Sequence, residues 1–295
     1  GQGKRAGQDG YDPRPGRTTR GVARVDYGDG RNVVDLRPIE GPPVEWKGGS
    51  DNTETTRLAQ DQRDPRGLRE MSGEDLFEKI VGNNNLRAVA YLEKGVQVSR
   101  AVAHIELPGA GSATGFLVDD NVLMTNHHVF TQPGEAKDAI VRFNFQKDIQ
   151  GAELPTDDYR CDPDSLFWTS PENELDCTVV RLIGSPGSRW GVIPMPDQGR
   201  LREKDRVVII QHPAGRHKEI ALVDNEVAYV DDRVAQYLTD TEPGSSGSPV
   251  FNEDWQLVAL HHSGGWIPEP NERSTHFRNE GIRISAIRAA LPSWR

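Results

Sequence analysis

The sequence has only two cysteines in 295 residues, Cys161 and Cys177. Two thiols cannot build the multi-bridge framework on which small secreted domains rely, and they favour a reducing, cytoplasmic setting. Basic residues are in deficit, with 35 Lys and Arg against 45 Asp and Glu and a formal net charge of −10. Tracking phosphates needs the opposite balance, so nucleic acid is not expected as a partner; the excess charge reads as solubility. No apolar run approaches the roughly 20 residues of a membrane-spanning helix, so no membrane association is expected. Metal-ligand spacing is missing too. The pairs His127-His128 and His261-His262 have no third ligand at a recognisable interval, and no metal or cofactor is expected.

Hydrophobic residues reach only 35%, and the shortfall is concentrated at one end. Residues 1–70 are rich in Gly, Arg, Asp, Pro and Thr, with clusters such as "DPRPGR" and "EGPPVEWKGGS". They read as a polar extension, partly disordered or draped over a surface, with a short strand or two near 22–38. Residues 71–98 read as a helical linker or adaptor. Ser72 is placed to cap a helix, with Asp75 three residues on and Leu76, Ile80 and Val81 on one face. A second amphipathic stretch, "LRAVAYLEKGVQVSRAVA", leads into the body.

From residue 99 the pattern is β. Short apolar runs such as "RAVAHIEL", "SATGFLVDD", "NVLMTNHHVF", "AIVRFNFQ", "DCTVVRLIG" and "RVVIIQHP" alternate with turn signals. The spacing of about 8–12 residues is that of an all-β barrel or sandwich. "ISAIRAALPSW" carries Ile284, Ile287 and Leu291 at helical spacing, which predicts a closing helix at about 284–291. A Gly/Pro/Ser-containing seam near 184–200 divides the strands into two groups.

Three short contexts carry chemistry. "DTEPGSSGSPVF", residues 240–251, crowds Ser245, Ser246 and Ser248 between glycines. Glycine permits the torsions that aim consecutive N–H groups at one point, so such a turn can expose a hydroxyl and bind an oxyanion. The spacing G-x-S-G-x-P selects Ser246, with the Gly244 and Ser246 amides as donors. "LMTNHHVF" offers a base: of the adjacent His127 and His128, one can be catalytic while the other is solvated or packed. Asp176, opening the apolar strand "DCTVVRLIG", is a carboxylate whose burial demands a partner. Singly, each context also fits a plain loop, a surface pair or a strand-end acid. Together they stand in the order His, Asp, Ser, 48 and then 70 residues apart, an order that acyl-transfer enzymes on all-β chains use.

These contexts resemble a chymotrypsin-fold, trypsin-like serine peptidase of the bacterial type, with likeness to glutamyl endopeptidases. The likeness is carried by "TNHHV", "LDCTVVRL" and "GSSGSPVFNEDWQLVALHHSGG" and covers about 100–291. It implies two antiparallel six-stranded β-barrels, one at about 99–190 and one at about 200–283, within a peptidase domain at 99–291. It also implies a cleft between them holding His128, Asp176 and Ser246. The pattern T-x-x-H, set by Thr125, makes His128 the base. Many secreted members carry cysteine directly after that histidine; here Val129 stands there. Cys177, beside the aspartate, reads as a buried small hydrophobe.

The resemblance gives opposing signals for the residue before the scissile bond. Asp240, six before Ser246, implies a preference for Arg or Lys. His261 stands where glutamyl endopeptidases receive a substrate carboxylate. The two residues could also pair with each other. Residues His262, Ser263 and Gly264 are expected to bind an extended substrate by strand addition, and Trp266 reads either as a wall of the cleft or as a packed or partly exposed aromatic. The implied function is a selective, regulated serine endopeptidase acting on a protein or peptide, with a regulatory protein partner at the N-terminal segment, as in bacterial signalling or defence assemblies. An inactive protease-fold scaffold with a covered cleft is the alternative; a metal- or ligand-binding β protein is a more remote one.

Overall fold

The β-type runs build two antiparallel sheets of seven strands each. The computed structural model describes residues 87–197, 199–223, 225–270 and 274–293, and two short strands nearer the N-terminus. The chain divides into two compact units, 1–84 and 85–295. In the first, β1 (Arg24–Asp26) pairs antiparallel with β2 (Asn32–Val34), within the stretch where short strands are expected. The helix expected from Ser72 lies outside the described residues.

The second unit opens with α1 (Ala90–Ser99). The first sheet follows: β3 (Val102–Leu107), β4 (Gly111–Asp119), β5 (Val122–Thr125), β6 (Ile140–Phe143), β7 (Asp157–Tyr159), β8 (Phe167–Ser170) and β9 (Cys177–Arg181). Its spatial order is β7-β6-β3-β4-β5-β9-β8. Short helices α2 (Pro133–Asp138) and α3 (Pro186–Trp190), each with proline in its first turn, interrupt the connections. The second sheet comprises β10 (Val207–Gln211), β11 (Glu219–Ala221), β12 (Val227–Val230), β13 (Val234–Tyr237), β14 (Pro249–Asn252), β15 (Leu257–Pro268) and β16 (Thr275–Arg283). Its order is β11-β10-β14-β15-β16-β13-β12. The closing helix α4 spans Ile284–Ala290, with Ile284 and Ile287 buried.

Each sheet therefore has one strand more than the resemblance implied. At the edges of the first sheet lie β7 and β8, three and four residues long, with polar or mixed side chains that carry little alternation. Edge strands are held chiefly by backbone pairing on one side and need no apolar face of their own. The opposite holds for β10, every residue of which is buried. Val208 and Ile210 enter one core cluster and Val207 and Ile209 the other. A strand with both faces covered reads as a continuous apolar run.

Helix α1 packs on the body through a contact only glycine allows. A Cβ at Gly95 would lie 2.5 Å from the Trp255 ring, and Trp255 Nε1 donates to Tyr91 O at 2.8 Å.

Both cysteines are buried free thiols. Burial pushes the Cys161 thiol up to about 12 and raises that of Cys177, so neither is a thiolate at neutral pH. Both thiols are expected to resist a thiol reagent in the native protein and to react promptly in denaturant. A natively reactive cysteine would contradict this packing.

Candidate active site

β5 and β9 run side by side, with Thr125 opposite Thr178. The last residue of one antiparallel strand thus lies beside the start of the other, and the chain leaving β5 meets the chain entering β9. His128 sits in the turn just after β5. Its Nδ1 is 2.8 Å from Asp176 Oδ2, and its backbone N donates to Asp176 Oδ1 at 3.1 Å. Asn126 reinforces the pairing by donating from Nδ2 to Asp176 O at 2.9 Å. The buried Val129 and Phe130 anchor the far side of the turn. His127 diverges: its Nδ1 meets Thr169 Oγ1 at 2.7 Å.

Asp176 is fully buried and holds φ +39°, a conformation unfavourable to a residue with a side chain. Burial raises its pKa. Bonds from His128 and His262 outweigh that effect and hold the carboxyl well below its usual range.

The serine turn answers which hydroxyl is available. Ser245 and Ser248 are fully buried. The Ser245 hydroxyl accepts from Glu242 N at 3.2 Å, and the Ser248 hydroxyl donates to Ser245 O at 2.6 Å. Both side chains therefore serve the backbone of the turn. Ser246 is half-buried, and its hydroxyl has no partner among the described residues. Its carbonyl is pinned, accepting from Thr114 N at 2.9 Å, while Gly247 N donates to His261 O at 3.0 Å.

The Gly244 and Ser246 amides donate to no acceptor among the described residues. The orientation of the Gly244 amide has a cause. Ala214 N donates to Pro243 O at 2.6 Å, and no peptide bond among the described residues is cis. In a trans peptide C=O and N–H point opposite ways, so the Gly244 N–H faces away from Ala214. Gly244 itself stands at φ +100°, where a Cβ would come within 2.8 Å of His212 O.

Thr114, on β4, joins the two halves of the site, a role that nothing in "GSATG" signals. Besides its amide bond to Ser246, its Oγ1 donates to Gly244 O at 2.8 Å and accepts from His212 N at 3.0 Å. Its carbonyl accepts from Thr125 Oγ1 at 2.8 Å. His128 and Asp176 are thereby joined directly, and Ser246 is tied to their sheet through Thr114. Neither His128 Nε2 nor the Ser246 hydroxyl has a hydrogen-bond partner among the described residues, so this pair is open in the resting structure. Such bonds commonly tighten only once substrate is bound.

The residues assigned to specificity have separate surroundings. Asp240 and His261 do not pair. His261 Nδ1 meets the Tyr237 hydroxyl at 3.0 Å, and burial pushes the His261 pKa down to about 3, leaving a neutral ring. Tyr237, on β13, is the natural partner because it too is fully buried and needs one. Asp240 is exposed and borders a cleft of about 260 Å³ with Leu238, Thr239, Phe277 and Arg278. Gly264 faces Asn279, whose Oδ1 accepts from Thr241 Oγ1 at 2.8 Å and whose Nδ2 donates to Thr239 O. Trp266 is 73% exposed, edge-to-face with Phe277 and outside the lining of that cleft.

His262 lies on β15, the strand expected to bind substrate through its backbone, and its ring turns inward, with Nδ1 3.3 Å from Asp176 Oδ2 and Nε2 3.0 Å from Glu280 Oε1. Ser263 Oγ lies 3.3 Å from the same Nε2. Glu280 escapes sequence reasoning because it is one acid among 45 Asp and Glu, set apart only by the register of β15 against β16. No group of metal-ligating side chains forms among the described residues.

Two antiparallel seven-stranded sheets that carry an imidazole–carboxylate pair and a serine turn with two open amides define a mostly β protein with a chymotrypsin-like arrangement of strands. The family model described as trypsin-like peptidase domain matches residues 113–260, half of the chain, and the chain belongs to that family. It is 38% identical over 258 residues to the uncharacterized protein y4fB of Sinorhizobium fredii, covering 72% of this chain and 39% of that protein. It is 29% identical over 211 residues to secreted RxLR effector protein 73 of Plasmopara viticola, covering 64% of this chain and 52% of the effector. It is 23% identical over 214 residues to glutamyl endopeptidase of Staphylococcus aureus, covering 69% of this chain and 62% of that enzyme. The chain thus spans less than two-thirds of the length of each. Among solved structures, the serine endoprotease from Yersinia pestis superposes with a TM-score of 0.50 at 17% identity, covering 69% of this chain and 66% of that one, a likeness of fold.

Proposed function

We propose that this chain is a serine endopeptidase in which Ser246 is the nucleophile, His128 the general base and Asp176 the residue that orients and charges the base. The observation that carries this reading is the 2.8 Å His128–Asp176 contact on a sheet tied through Thr114 to a turn in which Ser245 and Ser248 are engaged and the Ser246 hydroxyl has no partner among the described residues. With substrate bound, His128 Nε2 takes the Ser246 proton as Oγ attacks the scissile carbonyl. Asp176 holds the Nδ1–H tautomer and stabilises the imidazolium. The Gly244 and Ser246 amides receive the oxyanion. Collapse expels the amine with the proton from His128, and water then hydrolyses the acyl-enzyme by the same steps.

The exposed Asp240 carboxylate favours Arg or Lys before the scissile bond, and the neutral, buried His261 is poorly placed to attract a substrate carboxylate. The free buried thiols fit a reducing, cytoplasmic compartment. The extra N-terminal residues fit a regulated enzyme of a signalling or defence assembly, controlled by a protein partner. The open Ser246–His128 pair is the observation that keeps a scaffold reading in play.

The deciding measurement is labelling by a fluorophosphonate together with cleavage of a mixed peptide library. Ser246→Ala is expected to abolish both, and Ser245→Ala to leave labelling largely intact. Undiminished labelling of Ser246→Ala would overturn the assignment. Cuts after Glu would move the specificity to His261, and labelling without cleavage would favour a covered or highly selective cleft.

A further inference from the structure

The His262 ring stands between two carboxylates, at 3.3 Å from Asp176 and 3.0 Å from Glu280. A neutral imidazole has a single N–H, and its other nitrogen would turn a lone pair on a carboxylate oxygen. Only the imidazolium donates to both. Burial opposes the charge, but the bonds to Asp176 and Glu280 prevail and raise the His262 pKa to about 9.

The surroundings leave these bonds uncontested. Glu280 is 14% exposed, and its Oε2 accepts from Gln236 Nε2 at 2.8 Å. Arg278, one residue earlier in sequence than Asn279, is engaged by Glu269 and Gln236 Oε1 rather than by Glu280. His261, next to His262, is neutral and bonded to Tyr237. Ser263 Oγ is the remaining polar neighbour of the ring. Asp176 Oδ2 is thus shared between His128 from its own sheet and His262 from the other.

We propose that His262 and Glu280 are positioning residues for the base, forming an ion-paired chain from Gln236 through Glu280, His262 and Asp176 to His128. This rests on the triad reading and extends it to two residues outside the triad. The chain does two things. It braces the Asp176 carboxylate from the second sheet, so that the aspartate is held from both sides. It also places a positive charge beside Asp176, which offsets part of the field that would stabilise a protonated His128. Glu280 balances the added charge.

The test is the pH titration of histidine Cε1 resonances in the full chain carrying Ser246→Ala, assigned by single substitutions. Alongside it, the pH profile of fluorophosphonate labelling is recorded in the chain with Ser246 intact. In the parent, His262 is expected to remain protonated through neutral pH. His262→Gln removes the charge beside Asp176, and the His128 resonance is expected to titrate at higher pH than in the parent. The acid limb of the labelling profile should move up with it, and the plateau rate should fall about tenfold as Asp176 loses a brace. Glu280→Gln should bring the His262 titration down toward neutrality. A purely structural role would lower stability without moving these titrations. The proposal is overturned if His128 titrates unchanged in His262→Gln, or if His262 titrates as an ordinary histidine in the parent. Should His262→Gln fail to fold, an unchanged His262 titration in Glu280→Gln overturns it as well. Absence of labelling in the parent would defeat the triad reading, and the resonances would still decide the relay.

Discussion

Asp176→Asn is expected to lower the rates of fluorophosphonate labelling and peptide cleavage by about 10⁴-fold near neutral pH while the fold persists. The amide is nearly isosteric with the carboxylate, so packing around the fully buried side chain survives. It is neutral, however, and can turn a donor toward His128 Nδ1. That fixes the wrong tautomer, leaving a proton on Nε2 where the base must accept one. The substitution also withdraws the negative charge that stabilises the imidazolium. Labelling rates with circular dichroism as the folding control provide the check; near-parental labelling by a folded variant would remove Asp176 from the mechanism.

The same substitution has a signature in stability against pH. The Asp176 carboxyl has a lower pKa folded than unfolded. Its contribution is therefore fully present above the ordinary carboxylate pKa of about 4 and is lost as pH falls through that value toward the lower folded one. His262 has the opposite sign. Its folded pKa, about 9, exceeds the unfolded one, so its contribution is present in acid and lost as pH rises toward and through about 9. Thermal melts of the parent and Asp176→Asn should draw together progressively as pH falls below about 4, where the parent's carboxylate advantage begins to be lost.

Gly247→Ala is expected to cost about 3–5 kcal/mol, summing left-handed strain and overpacking, and to lower the melting temperature by about 10 °C or more. Gly247 holds φ +84°, and a Cβ there would overlap the Thr114 carbonyl and the Thr125 hydroxyl. Those two groups are bonded to each other and belong to the buried connection between the sheets, so neither can move away cheaply. Thr114 also holds Ser246 O, and labelling should fall with stability. Gly265→Ala is the comparison. At φ +139° with open space around it, it meets only the conformational penalty, about 1–3 kcal/mol, with no overpacking added. Equal effects of the two substitutions would show that the contact with Thr114 and Thr125 is not what demands glycine at 247.

Much of the fold is legible in the order of residues because burial acts through short periods. The fully buried run at Val207–Gln211, the run at Cys177–Arg181, buried except at Arg181, and the helical spacing of Ile284 and Ile287 each announce their element. The edge strands Asp157–Tyr159 and Phe167–Ser170 do not, since backbone pairing on one side needs no particular side chains. The candidate nucleophile, base and aspartate were likewise legible from local contexts: glycine around Ser246, an apolar strand running into the histidines, and an acid opening a buried strand.

What the sequence by itself determined is thus the β character of the body, the two groups of strands and the residues able to carry acyl-transfer chemistry. Only the tertiary structure decided which neighbours those residues meet. It separated His127 from His128 by giving one to Thr169 and the other to Asp176. It paired His261 with Tyr237 in place of Asp240, and it turned His262 between Asp176 and Glu280. The physical reason is range. Periodicity and turn chemistry act over a few residues, whereas a buried polar group takes whichever partner the packing of two distant strands brings within hydrogen-bond reach.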